Sequence, residues 1–218
     1  MTDVPIYKLK FLLLLLLSFL VFFSCSDSEP DVNSAAGFVI FDYASEKSYP
    51  SVRFAAFAET SSEIQRVSSI SVKNLSTGYE WFCDNPVLLN NDRHKWAGYA
   101  DFVSPRGQLI PQGSYEIVYT DAQSRSVTKT FFLQYKEKFL KTKSEKAVSL
   151  FSEEKKINIC VYSEKGTLLY YGERKENWLD NKDVFKEIRD SFYYRECYIE
   201  ADKSVYCLMP PCYKKIEK

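Results

Sequence analysis

Six cysteines and a single histidine bound the chemistry open to this chain of 218 residues. Cys160, Cys197, Cys207 and Cys212 crowd the C-terminal part, while Cys25 and Cys83 stand apart. Zinc sites use tightly spaced Cys and His pairs, and thioredoxin-type redox chemistry needs Cys-x-x-Cys opening a helix. Cys207 and Cys212 are separated by four residues with no histidine near them in sequence, which fits neither pattern. His94 lies among Asn90, Asn91, Asp92, Arg93 and Lys95, the setting of an exposed loop rather than of a general base. Carboxylate pairs such as Glu153-Glu154 are adjacent and therefore solvated. No nucleophile elbow, His-Glu-x-x-His pair, phosphate loop or dinucleotide fingerprint occurs. Two carboxylates distant in sequence and brought together by folding would still allow glycosidase-type hydrolysis, but no residue marks such a pair. The expectation is a protein without cofactor, metal or catalytic residues.

Charge excludes another class. The 29 basic and 29 acidic side chains balance, whereas a nucleic-acid binder needs a surplus of Lys and Arg on one face. Aromatic residues are plentiful, with 16 Tyr, 16 Phe and 3 Trp. Most suit strands and core. Tyr79, Trp81, Trp96 and Tyr99, from neighbouring segments, are the candidate exposed patch for a protein or glycan, because Tyr and Trp dominate binding hot spots.

The N-terminus carries a different signal. Phe11 to Phe23 is a run of thirteen residues in which only Ser18 is not apolar, preceded by Lys8 and Lys10. That is the layout of a secretory signal. It is too short to span about 30 Å of hydrocarbon as a helix. The run ends at Ser24-Cys25 and turns polar at once with Ser26-Asp27-Ser28-Glu29. This junction resembles the lipobox of bacterial lipoproteins, and Phe22 in place of the usual Leu or Val looks most like the spirochaetal variants. The resemblance implies cleavage before Cys25, acylation of that cysteine, and anchorage to a membrane of the cell envelope. Removing residues 1–24 from the 218 leaves 194, and two or three acyl chains would hold them durably without a basic patch.

The elements that would position any site are mostly strands. Residues 25–36 read as the acylated cysteine and a flexible tether. From Gly37 to Tyr135, short β-branched and aromatic runs separated by turn-formers predict a sandwich of antiparallel strands. Ile70 and Val72 alternate with Ser69, Ser71 and Lys73, as in a strand wet on one face. Ser114–Thr120 and Arg125–Tyr135 form a hairpin around Asp121-Ala122-Gln123-Ser124. The spacing Leu109-x-Pro111-x-Gly113-x-Tyr115 resembles the tyrosine corner of fibronectin type III and immunoglobulin-like domains, which implies that the Tyr115 hydroxyl ties back to the upstream loop. No cysteine pair spans this region, as an antibody-type domain would require, and Cys83 reads as a buried free thiol.

Lys136 to Lys146 holds seven charges in eleven residues and reads as a solvated connector. Beyond it, residues 147–218 suggest a small α+β unit: a hairpin around Ser163 to Gly166, a helix from Asp180 or Asn181 to about Phe192, and a last hairpin. A three-residue loop Ala201-Asp202-Lys203 would set Cys197 opposite Cys207. Disulfides persist in exported proteins, so Cys197–Cys207 is the favoured bridge and Cys160–Cys212 the second. The expected fold is therefore mainly β, an immunoglobulin-like sandwich followed by a small α+β unit with one helix. The expected function is a non-enzymatic binding or assembly module tethered by lipid, with a periplasmic small-ligand binder or an envelope hydrolase as alternatives.

Overall fold

The computed structural model describes residues 29–61, 66–90, 94–106 and 108–214. Within them the β-branched and aromatic runs become strands, each ended by Gly, Asp, Asn or Ser turns. In chain order they are β1 (Val32–Asp42), β2 (Ser51–Thr60), β3 (Val67–Asn74), β4 (Glu80–Cys83), β5 (Val87–Asn90), β6 (Lys95–Phe102), β7 (Gly113–Asp121) and β8 (Ser126–Leu133). After the short helix α1 (Ser144–Ala147) come β9 (Lys156–Ser163), β10 (Leu168–Glu173), helix α2 (Asn181–Glu187), β11 (Ser191–Ile199), β12 (Val205–Leu208) and β13 (Cys212–Tyr213).

Two sheets pack face to face, so the protein is a mainly β, sandwich-like fold. The larger runs β10-β9-β11-β12-β1-β2-β6-β5 with β13 beside β11, and the smaller runs β4-β3-β7-β8. Pairing is antiparallel throughout except where β1 lies parallel to β12, with Val39 opposite Val205 and Phe41 opposite Cys207. Period-two alternation sends one face of each strand between the sheets. Ile70, Val72, Ile117 and Leu133 of the small sheet meet Val39, Phe41, Phe54 and Ala56 of the large one, all within 1% of full burial. Phe54 is the hub, with Trp81 edge-on at 4.9 Å and Phe102 stacked at 5.1 Å. The sheets approach so closely at Gly37 that a Cβ there would lie 2.2 Å from the Phe131 ring.

Several boundaries differ from the sequence expectation. The tether stops short of residue 36, because Val32 to Ala36 already belong to β1 and pair with β2 from Thr60 to Phe57. Thr60 Oγ1 also donates to the Asp31 carbonyl at 2.7 Å. The charged segment 136–146 is not a free connector: Phe139 is buried in the main core and Ser144 is buried too, while its lysines face water. Nor does it separate two sheets, since β9 to β12 extend the same sheet that holds β1, β2 and β6. The C-terminal helix is shorter than expected. Ile188 leaves helical geometry at φ −87°, ψ 101° and Asp190 adopts φ +63°, so Phe192 belongs to β11 rather than to a helical stripe. The start of the helix is as its residues dictate, with Asp180 accepting from the Lys182 and Asp183 amides and Asp183 returning a bond to the Asp180 amide. α2 covers the inward face of the far end of the large sheet through Val184, which packs with Ile159, Val161, Trp178 and Tyr194.

Candidate functional site

The two outward faces of the sandwich differ in chemistry. On the small sheet, Ser69, Ser71, Lys73, Glu116, Thr128 and Thr130 point away from the core, the usual solvated surface. Two aromatics, Phe82 and Phe132, interrupt it. The outward face of the large sheet is instead apolar across its middle strands. Phe38, Ile40, Phe57, Trp96, Tyr206 and Leu208 form one cluster around Ala55, and no described element packs over them. Helices α1 and α2 both lie on the inward side.

Register explains the stripe. Phe57 is opposite Gly98 and diagonal to Trp96, Phe38 is opposite Ala55, and Tyr206 is opposite Ile40. Trp96, Phe57, Phe38 and Tyr206 thus come from four neighbouring strands and cross the sheet obliquely. Phe38 lies 4.2 Å from Tyr206 and 6.5 Å from Phe57, centroid to centroid. Phe57 lies flat because residue 98 is glycine; a Cβ there would be 2.5 Å from the Phe57 ring. Burial pushes the Tyr206 phenol up to about 12, so it stays neutral within this apolar surface.

Charged networks frame the stripe at both ends. At one, Glu59 pairs with His94 and accepts from Ser34 Oγ at 2.7 Å, and these hydrogen bonds hold its carboxyl below the usual range. At the other, Arg195 reaches Asp42 at 2.6 Å, the Tyr43 and Leu208 carbonyls at 3.0 Å each, and the Met209 carbonyl at 2.7 Å. Arg53 takes the second Asp42 oxygen at 2.8 Å and approaches Asp101 at 3.4 Å. Desolvation pushes Asp42 up, but hydrogen bonds and charge from Arg195 and Arg53 outweigh it and hold the carboxyl below the ordinary aspartate value. This network ties five strands together and fixes the lower edge of the stripe.

The residues singled out from sequence do not share one surface. Trp81 alternates with Glu80 and Phe82 and therefore turns inward: it is 8% exposed and donates Nε1 to the Val103 carbonyl at 2.8 Å. Tyr79 packs on it at 4.5 Å, and Tyr99 faces inward against Phe102 at 5.1 Å. Of the four, Trp96 alone joins the outward stripe. Tyr115 is fully buried and its hydroxyl donates to the Pro111 carbonyl at 2.5 Å. Cys25 lies outside the described residues.

Neither favoured disulfide fits the register. The hairpin loop between β11 and β12 has four residues, since the Glu200 amide bonds to the Val205 carbonyl and Ile199 pairs with Tyr206. Cys197 therefore opposes Leu208, and Cys207 opposes Tyr198. One residue of slip sends the two thiols to opposite faces. Cys212, opposite Tyr194, lies on the inward side, whereas Cys160 lies on the outward one, so that pair fails too. Cys83, 160, 197, 207 and 212 are all thiols here, and Cys83 is buried in the main core.

Phe38, Phe57 and Tyr206 were not marked by sequence reasoning. Their signal was nevertheless present: in GFVIFDY and VRFAAFAE both parities are apolar, the pattern of strands whose two faces each avoid water. Elsewhere, an open cleft of about 920 Å³ runs between the β1–β2 loop, α1 and residues 209–213. Of the hydroxyls in its walls, Ser144 donates to the Ser45 and Glu46 backbone carbonyls. None of the described helices is long and apolar enough to cross a membrane. No protein-family model matches the chain, and no curated protein matches it in sequence.

Proposed function

We propose that this protein is a non-enzymatic binding module of a bacterial cell envelope, held to a membrane by lipid on Cys25 and docking a protein partner on the outward face of its large sheet. The observation that carries the reading is the aromatic stripe on a sheet face that no described element covers. Ile40 and Phe57 are buried among their neighbours, while Phe38, Trp96, Tyr206 and Leu208 stay half-buried, so the face keeps a contiguous, partly open apolar surface of the kind that marks interaction sites. Its polar groups are engaged at the two ends, and its centre offers rings and aliphatic side chains, which suits an apolar protein surface better than a hydroxyl-rich glycan.

A photo-crosslinking amino acid at position 96, in cells, tests the surface. Adducts are expected from position 96 and not from position 132 on the small sheet. In a Phe38→Ala/Tyr206→Ala background those adducts should fall by roughly 30-fold, the loss typical of a hot-spot truncation of about 2 kcal/mol. Equal adducts from both positions would remove the assignment. Trp81→Ala does not probe binding, because Trp81 is a core residue. The anchor is tested separately by fatty-acid labelling: label should enter the wild-type chain and be lost entirely in Cys25→Ala.

A further inference from the structure

We propose that Cys160 and Cys197 are joined by a disulfide in the exported protein, cross-linking β9 to β11 on the outward face of the large sheet. The inference goes beyond the docking surface and borrows from the functional reading only the export of the chain.

The register carries it. Cys160 lies opposite Arg195 and Cys197 opposite Asn158 on adjacent antiparallel strands. The two cysteines are thus two positions apart along the pair, on the same face, as diagonal neighbours. Such neighbours sit about 7–8 Å apart by Cα and closer by Cβ, just beyond the usual span of a bridge, so the two strands must draw together slightly as it forms. Here both side chains pack into one buried cluster on that face. Both are buried, at 4% and 2% exposure, and with Ile199 they form a cluster flanked by Tyr162, Tyr206 and Leu208. No other described cysteine competes: Cys207 and Cys212 are on the opposite face, and Cys83 is in the small sheet.

The surroundings also favour the first chemical step. The Cys160 thiol is drawn below its ordinary value by the neighbouring Cys197 thiol, with contributions from Tyr162 and the Arg195 charge, while Cys197 is pushed up. Cys160 is therefore the attacking thiolate. As the strands assemble, it attacks one sulfur of an oxidised dithiol of the thiol–disulfide exchange class, forming a mixed disulfide and releasing one thiolate, which takes up a proton. Cys197 then loses its proton and attacks Cys160 Sγ, expelling the second thiolate. Two cysteine thiols are oxidised to one disulfide, and the oxidant's disulfide is reduced to two thiols.

The test is a non-reducing peptide map of the full chain recovered from an oxidising compartment, with free thiols alkylated under denaturing conditions at harvest. The expected result is one linked peptide pair containing Cys160 and Cys197, with Cys83, Cys207 and Cys212 alkylated. The bond closes a loop of about forty residues, so reduction should raise the unfolding equilibrium constant by roughly a hundred- to a thousandfold. That sensitivity to reductant should survive in Cys207→Ser and disappear in Cys197→Ser. Alkylation of both Cys160 and Cys197, or a link from either to another cysteine, would overturn the proposal. The same chain made in a reducing cytosol should show both thiols alkylated, and a link found there would show that export is not what brings it about.

Discussion

Gly98→Ala is expected to lower the unfolding free energy by about 3 kcal/mol or more, at the upper end of small-to-large core changes. The added Cβ would lie 2.1 Å from the Ala56 carbonyl oxygen and 2.7 Å from the Phe57 Cα, both backbone atoms. Gly98 is paired on both sides, to Phe57 of β2 and to Val87 of β5, so neither neighbour can retreat without breaking a ladder. Against a total stability of roughly 5–15 kcal/mol, such a loss leaves a marginal fold. Gly37→Ala provides the contrast. Its nearest obstacle is the Phe131 side chain at 2.2 Å, with the Ala55 carbonyl at 3.2 Å. Phe131→Leu should therefore recover part of the loss at position 37, whereas Phe57→Ala should recover little at position 98. Urea midpoints of the four variants measure this, and an unchanged midpoint in Gly98→Ala would contradict the geometry.

Arg195→Met should be nearly as damaging, by roughly 3–5 kcal/mol at pH 7, because it leaves a largely buried carboxylate with Arg53 alone and removes the Arg195 bonds to the Tyr43 and Met209 carbonyls. The Arg195 and Asp42 side chains are 14% and 20% exposed, which keeps solvent screening modest. The dependence on pH has a defined sign. Asp42 has its carboxyl pKa depressed below 3.8 in the folded state, so its contribution is present above pH 3.8 and is lost as pH falls through the lower folded value. In the variant, desolvation opposes ionisation with only Arg53 to offset it. Protonation then relieves the variant before it harms the wild type. The stability gap between the two should consequently narrow from pH 7 to pH 3, as followed by urea unfolding at each pH. A gap that widens on acidification would show that Asp42 is not what Arg195 satisfies.

The strands of this fold were largely legible in the sequence, since alternation such as Ser69-Ile70-Ser71-Val72 and the Asp121–Ser124 turn specify local structure directly. Asp121 accepts from the Gln123 and Arg125 amides, and Ser124 adopts φ +63°, as that turn requires. The sheet order was not legible. The parallel pairing of β1 with β12 joins segments separated by most of the chain, and no local pattern encodes it. It is this pairing that merges the two expected units into one sheet. The aromatic site was half legible. Alternation separates Trp81 from its outward neighbours Glu80 and Phe82, but only the sheet order shows which outward rings become adjacent. The cysteine pairing turned on a single loop residue, and for period-two structure an error of one is an error of face.

The early start of β1 limits where the protein can work. With lipid on Cys25 as proposed, six residues would separate the anchor from Val32, the first residue of a strand embedded in the large sheet. The seven Cα–Cα steps from 25 to 32 reach at most about 25 Å when fully extended. Anchored in that way, the sandwich would sit within one domain diameter of the headgroups, and tension on the leash would load β1 along its axis against the β2 ladder. A partner of the proposed surface would have to present itself at that height, which would make altitude above the bilayer as much a determinant of recognition as the aromatic stripe.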